Sequence, residues 1–345
     1  MSKTIRKEEE SQYRKLDLVE GARLYAQLRD EVKQSGLLKR SYGYYIILTL
    51  STYIGFFSSL IGIYYTQNPV WIVLLSLTFA FFSVQIAGLI HDAAHRSIFQ
   101  SPKYNDMVGQ IFATSVAMGY NNWKIAHDEH HANPNQDGFD PDIEIPFSFT
   151  PERFKNSTGF TRLIGRYQAY FYYPLGSLTS LTVRFNRMAY FEKYWGPRTY
   201  AEAVVFALSV LVHFGLPFYF FGVGKAIAFL SIITLAEGFY LFNIFAPNHK
   251  GMPELEKDVE LSFIEQQVCT ARNVTSSPVI DYLYLGLNFQ IEHHLFPGSA
   301  RNNLKKIARF TKRFCKTHKI EYTESSALES IRIIFGEMQT LSRTL

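Results

Sequence analysis

Two stretches of 22 residues without a charged side chain, Tyr44 to Tyr65 and Pro69 to Ile90, follow one another with only Thr66, Gln67 and Asn68 between them. At 1.5 Å rise per residue each reaches about 33 Å as a helix, enough to cross the hydrocarbon core of a bilayer. So short a connection turns the chain straight back and predicts a helical hairpin. A second pair, Ala203 to Phe221 and Ala226 to Pro247, is joined by Gly222, Val223, Gly224 and Lys225 and repeats the pattern. A mean hydropathy of −0.04 would suit an ordinary soluble enzyme, but the average conceals these apolar blocks. The expected fold class is an all-α membrane protein: these blocks predict four transmembrane helices in two hairpins, and the charges and histidines outside them add a cytosolic helical cap holding a di-metal site.

The hairpins divide the chain into an N-terminal helical segment (1–43), a first hairpin (44–90), a cap segment (91–202), a second hairpin (203–247) and a second cap segment (248–345). The polar segments hold almost all the Lys and Arg, and two hairpins place all of them on one side. The positive-inside rule makes that side cytosolic, with both termini there, in a bacterial plasma membrane or the endoplasmic reticulum. The start of the chain lacks an apolar core and small-residue cleavage site, so no secretory signal is expected. Asp106 to Tyr120 and Tyr167 to Phe185 are apolar but shorter or broken, and read as interfacial or cap helices.

The net charge of +5 comes from Lys and Arg interspersed with Asp and Glu, which does not point to nucleic acid. Cys269 and Cys315 are too few for an iron–sulfur cluster or a thiolate zinc site. No G-x-G-x-x-G or P-loop pattern occurs, so neither flavin nor NAD has an obvious seat.

Of the 10 histidines, eight fall in four groups at the cytosolic ends of the spans or in the cap segments. His91 and His95 stand at i, i+4 where the second span ends, on one helix face. His127, His130 and His131 in HDEHH have i, i+3, i+4 spacing, with His130 and His131 flanking His127 on one face. Gln290, His293 and His294 in QIEHH repeat that spacing with an amide in first place, and His249 lies just beyond the fourth span. A single group of this kind is ordinarily satisfied by a hydrogen bond. All four together exceed one four-coordinate zinc, and two metals sharing the imidazoles is the economical reading.

HDAAH (91–95), HDEHH (127–131) and GLNFQIEHHLFP, in that order and spacing, resemble the three histidine boxes of the membrane-bound di-iron fatty acid desaturases. The Gln in the third box is similar to front-end acyl and sphingoid-base desaturases, and His249 and Trp123 fit the same family. The resemblance implies two irons on His91, His95, His127, His130, His131, His249, His293 and His294. It implies O2 as co-substrate and a double bond placed in a fatty acyl-CoA or acyl-lipid drawn from membrane lipid. The cytochrome b5 haem motif His-Pro-Gly-Gly is not found, and no bound haem is expected. Electrons must then come from a separate ferredoxin, or cytochrome b5 with an NAD(P)H reductase. A di-iron lipid or alkane hydroxylase, a carotenoid ketolase, a zinc-dependent membrane amidase and a metal-binding scaffold are the alternatives.

Around the boxes, Asn248 and Asn243 could offer an amide or hold a water, and Gln290 is expected as a weak or water-mediated ligand. Asp92, Asp128, Glu129 and Glu292 could orient imidazoles, or could simply be a solvated helix surface. Trp123 and the pair Arg272 and Asn273 could brace the site or line the substrate tunnel. Asn133 to Asn135 and Asp140 to Asp142 read as an ordinary Pro- and Asp-rich turn. Cys269 reads as a small packed side chain and His318 as solvated. Leu304 to Cys315 forms a basic amphipathic helix, suited to an acidic electron carrier, coenzyme A phosphates or anionic lipid, or simply a charged cap surface. His213 and Glu237, both inside the second hairpin, need partners and are expected to bond one another.

Overall fold

The computed structural model describes residues 15–143, 149, 154–185 and 196–344. In chain order its helices begin with α1 (Leu18–Gln34), α2 (Tyr42–Tyr65), α3 (Pro69–Ala94), α4 (Pro102–Ser115) and α5 (Tyr120–Ala132). There follow α6 (Gly159–Arg166), α7 (Gln168–Gly176), α8 (Thr179–Phe185), α9 (Pro197–Val210), α10 (Leu216–Phe221) and α11 (Val223–His249). The last are α12 (Phe263–Cys269), α13 (Pro278–Leu283), α14 (Gln290–Leu295), α15 (Arg301–His318) and α16 (Ala327–Thr344). Strands β1 (Arg272–Val274) and β2 (Thr323–Ser325) form a parallel pair, with Asn273 opposite Glu324. Among the described residues, four helices are long and apolar enough to cross a membrane: Tyr42–Tyr65, Pro69–Ala94, Thr199–Phe221 and Val223–His249. The chain divides into two compact units.

One unit comprises Arg40–Ala126 and Gly176–Phe242 and holds the apolar hairpins. Asn68 caps α3 by accepting from the Val70 amide at 2.9 Å, and Pro69 occupies the first helical position, where no donor is lost. The second hairpin turns at Gly222, whose φ of 75° suits a residue without a Cβ. Lys225, just past that turn, donates to the carbonyls of Ile63 and Thr66 at 2.7 and 2.9 Å. These belong to the C-terminal end of α2, where carbonyls lack intrahelical donors, so one lysine ties the two tips together.

The third span is not a uniform α-helix. Leu211–Gly215 forms a π turn between α9 and α10. Pro217 has no N–H to give the carbonyl of His213, four residues back, and the wider turn accommodates that loss. Helix α4 lies along the first hairpin rather than flat on a surface: the hydroxyls of Tyr53 in α2 and Ser115 at the end of α4 are 2.8 Å apart. After Ser115 the chain breaks, with Ala117 at a φ of 51°, and α5 begins at Tyr120. Asp106 to Tyr120 is therefore not one interfacial helix.

Nor does α8 stand apart from the spans. The Ser180 hydroxyl donates to the Thr234 carbonyl at 2.7 Å, and a Cβ on Gly238 would lie 1.9 Å from the Ser177 carbonyl oxygen. Only glycine permits that approach. The expected pair between His213 and Glu237 does not form, because α8 brings a stronger donor to the carboxylate. Arg184 Nη2 is 2.8 Å from Glu237 Oε2, while Arg184 Nε donates to the Val116 carbonyl at 3.0 Å. Arg184 Nη1 donates to the Ser180 carbonyl at 3.0 Å. His213 Nε2 finds no hydrogen-bond partner among the described residues.

The other unit comprises Met1–Lys39, His127–Leu175 and Asn243–Leu345. Asp17 caps α1 through the Glu20 amide at 2.7 Å. The helix then buries Leu24, Leu28 and Val32, one turn apart, against Ile264 and Val268 of α12, Ile291 and Leu295 of α14, and Ile307 and Phe314 of α15. Closing this core requires Gly21, where a Cβ would meet that of Ser262 at 2.1 Å. Glu265 accepts from the Leu16 amide at 2.7 Å and from the Ser262 hydroxyl at 2.6 Å, fixing the entry to α12.

Candidate metal centre

Three helices carry the nitrogen-bearing side chains of the second unit: α5 with His127, His130 and His131; α14 with Gln290, His293 and His294; and the end of α11 with Asn248 and His249. Helix α5 ends in a turn whose Asn135, at a φ of 55°, folds Asp140 back towards it. Asp140 Oδ2 accepts from the Asn135 amide at 2.7 Å, and both carboxylate oxygens lie 3.0 Å from His130 Nδ1. The turn read as structural from sequence therefore positions a site imidazole. Burial opposes charge on His130, yet Asp140 and Asp142 outweigh it and lift that imidazole to about 9.

The second box divides between two clusters. His131 Nε2 lies 3.2 Å from His127 Nε2 and 3.0 Å from His293 Nε2. His130 instead joins His249 and His294, with ligand nitrogens within 4.8 Å of one another. The cause is the 100° turn per residue, which sends the neighbours His130 and His131 to different sides of α5. His293 and His294 on α14 divide the same way.

Gln290 Nε2 is 2.9 Å from both His249 Nε2 and His294 Nε2. The Asn248 amide donates to Gln290 Oε1 at 3.0 Å and to the Leu287 carbonyl at 3.1 Å, so it orients Gln290. Asn248 Oδ1 is buried with no hydrogen-bond partner among the described residues. Each ring in this cluster is also held from behind: His294 Nδ1 by Gln267 Oε1 at 2.8 Å, His249 Nδ1 by the Thr270 carbonyl at 3.1 Å. Sequence reasoning missed Gln267, although its place beside Arg272 in QQVCTARN was visible. Burial, with its imidazole neighbours, holds His294 well below the usual value, leaving a neutral ring with a lone pair to give.

Glu292 does not orient an imidazole. It is buried beneath α14, accepting from Asn273 Nδ2 at 2.7 Å and from the Tyr322 hydroxyl at 3.0 Å. Burial pushes its carboxyl up to about 7, against these hydrogen bonds. Asn273 Oδ1 also accepts the Ile291 amide at 3.0 Å, so β1 braces α14. Arg272 donates to the Pro247 carbonyl at 2.9 and 2.6 Å and to the Lys250 carbonyl at 2.8 Å, holding the backbone around His249. Asp128 and Glu129 are exposed. Cys269 is packed as expected, burial lifting its thiol to about 12, and His318 is half-buried with its ring centroid 4.3 Å from that of Phe314.

His91 and His95 belong to the hairpin unit. They end α3 with ring centroids 4.7 Å apart, and Asp92 Oδ1 is 3.4 Å from His91 Nδ1. The Trp123 ring centroid is 6.0 Å from that of His91.

The donor chemistry fits a metal. Two imidazole nitrogens at right angles on a cation about 2.1 Å away stand about 3.0 Å apart, the spacing that His131 keeps to its neighbours. The all-nitrogen set, without thiolate, suits iron, zinc or copper. A family model described as fatty acid desaturase matches residues 68–326, well over half of the chain.

The chain belongs to the fatty acid desaturase family.

Among desaturase relatives, the Delta(6)-fatty-acid desaturase of Caenorhabditis elegans is 27% identical over 315 residues, covering 86% of this chain and 70% of its own. An acyl-lipid (9-3)-desaturase of Physcomitrium patens is 29% identical over 88% of this chain and 59% of its own length. The Delta(8)-fatty-acid desaturase of Euglena gracilis is 23% identical over 92% and 78% respectively. The three motifs HDAAH, HDEHH and QIEHH all lie inside the matched span.

Proposed function

We propose that this chain, a fatty acyl desaturase by family, removes two hydrogens from adjacent methylenes of an acyl-CoA or acyl-lipid with a di-iron centre. His127, His131 and His293 would hold one iron, and His91 and His95, which end α3, would serve as further iron ligands by their place in the first histidine box. His130, His249 and His294 would hold the other. The observation that carries the reading is the convergence of the six imidazoles of α5, α11 and α14 into two clusters, with His130, His249 and His294 each backed by a protein acceptor. Such a pair of irons, when bound, would supply an oxidant strong enough for an unactivated C–H bond, with O2 taking two hydrogens from the chain and two external electrons with two protons to leave as two waters.

The protein's own side chains fix orientation. Asp140, Gln267 and the Thr270 carbonyl set the rings of His130, His294 and His249, so that each turns its other nitrogen inwards. Gln290, steered by Asn248, offers an amide where a further imidazole could stand, and acts as a weak or water-mediated ligand. The apolar spans admit the acyl chain from the bilayer, with the polar segments and both termini on the cytosolic side. The relatives named for positions 6 and 8 support a double bond on the carboxyl-proximal part of the chain.

The test is expression in a host lacking polyunsaturated lipids, with lipid profiles taken with and without O2 and metal content measured on purified protein. Iron and an O2-dependent product lighter by two hydrogens are expected. Bound zinc with an O2-independent product would sink the proposal, and a product heavier by one oxygen would assign a hydroxylase. Purified protein should not turn over with NAD(P)H until a ferredoxin or cytochrome b5 with its reductase is added.

A further inference from the structure

Helix α15 presents Lys305, Lys306, Arg309, Lys312, Arg313 and Lys316 to solvent, and its sequence contains no acidic residue. At 3.6 residues per turn these six cations occupy about 120° of the circumference along about 16 Å of helix. Lys305, Lys312 and Arg313 pair with Asp281, Glu324 and Glu31 at 3.0, 2.5 and 3.7 Å. Lys306, Arg309 and Lys316 make no ion pair with any described residue. The opposite face, with Leu304, Ile307, Thr311, Phe314 and Cys315, is buried in the core formed with α1, α12 and α14.

What lies under that face gives the charge a use. Thr311 and Cys315 border buried Glu292, whose chain neighbour is His293. The basic surface thus lies across α15 and α14 from the imidazole clusters, two helix diameters or about 20 Å away. The proposed reaction consumes two electrons, and these 345 residues hold no cysteine set for a cluster and no flavin or nicotinamide motif, so a carrier protein suits as their source.

We propose that the exposed basic face of α15 is the docking surface for an acidic one-electron carrier protein. This rests on the desaturase reading above, which requires external electrons. Charge complementarity favours a protein over a membrane. A helix that lies on lipid buries its apolar face there, whereas the apolar face of α15 is already committed to the protein core. Long-range attraction between the basic face and an acidic carrier raises the encounter rate and sets the orientation of approach.

The test compares full-length protein with a Lys306→Glu/Arg309→Glu/Lys316→Glu variant, and with Lys103→Glu, a solvent-exposed charge reversal on α4, as control. Binding of the soluble domain of cytochrome b5 and of a plant-type ferredoxin is measured by titration calorimetry in detergent over a range of salt. Turnover with each carrier and its reductase is measured in parallel. We expect the triple variant to bind at least one carrier about tenfold or more weakly at low salt and to lose the salt dependence seen in the wild type. KM for the carrier should rise while kcat at saturating carrier holds. Wild-type protein that binds neither carrier overturns the proposal, as does a triple variant indistinguishable from Lys103→Glu. Intact carrier affinity together with lost stimulation by phosphatidylserine nanodiscs would assign the face to lipid instead. Because binding is read without turnover, salt-dependent binding by an inactive wild type would uphold the docking surface and refute the desaturase reading.

Discussion

Replacing Arg184 by methionine should cost the hairpin unit several kcal/mol of stability. Arg184 is 6% exposed and Glu237 2%, so their pair at 2.8 Å is screened little by water. Removing one partner of such a pair costs about 3–5 kcal/mol, because the other charge is left buried. The carbonyls of Val116 and Ser180 would lose their donor as well, which moves the expectation to the upper end of that range. Glu237→Leu should be at least as damaging, since a carboxyl can take up a proton whereas an isolated guanidinium keeps its charge. The double variant Arg184→Met/Glu237→Leu removes both charges and should be more stable than the sum of the singles predicts by about 2 kcal/mol. Reversible unfolding in detergent micelles titrated with dodecyl sulfate, run on all four proteins, measures the cycle. Single variants within about 1 kcal/mol of wild type, or strict additivity in the double, would refute the reasoning.

Gln290→Ala should lower desaturation more than iron content, whereas His293→Ala should abolish both; equal iron loss, measured by mass spectrometry of purified protein, would contradict the weak-ligand role. Asp140→Asn leaves the turn but weakens the acceptor at His130 Nδ1, and should reduce metal affinity about 10–100-fold in a chelator competition. Glu337 is raised above the ordinary 4.5, first by burial, and its Oε2 has no hydrogen-bond partner among the described residues. The folded state therefore holds the proton more tightly than the unfolded state, and this group's contribution falls as pH rises from 4.5 through the raised value. The difference in Tm between Glu337→Gln and wild type should accordingly grow with pH over that window and then level off; a flat difference would exclude the effect.

The spans were legible because their signal is length without charge, which needs no partner to interpret. The boxes were legible because i, i+3, i+4 spacing is a property of one helix. That spacing sets His130 and His131 100° apart, but which cluster each joins depends on where α11 and α14 approach α5. The bond from Asp140 to His130 was hidden for a related reason: a turn rich in Asp and Asn looks the same whether its carboxylate faces water or a ring. Pairing His213 with Glu237 counted residues along two antiparallel spans and left out α8, whose arginine is the stronger donor. The π turn at Leu211–Gly215 could have been anticipated from Pro217, whose missing N–H must be accommodated four residues earlier.

Because α5 and α14 each contribute to both imidazole clusters, the two cannot be filled independently. A cation gathering His127, His131 and His293 fixes the rotation of both helices, and with it the positions of His130 and His294. The ordering cost of the second site is then met during occupation of the first, which is positive cooperativity of metal uptake. Titration of metal-free protein should show few singly loaded molecules, passing from empty to doubly filled. Substitution of any one of the box histidines on α5 or α14 should empty both positions, so a clean one-metal enzyme is not to be had by deleting one of them.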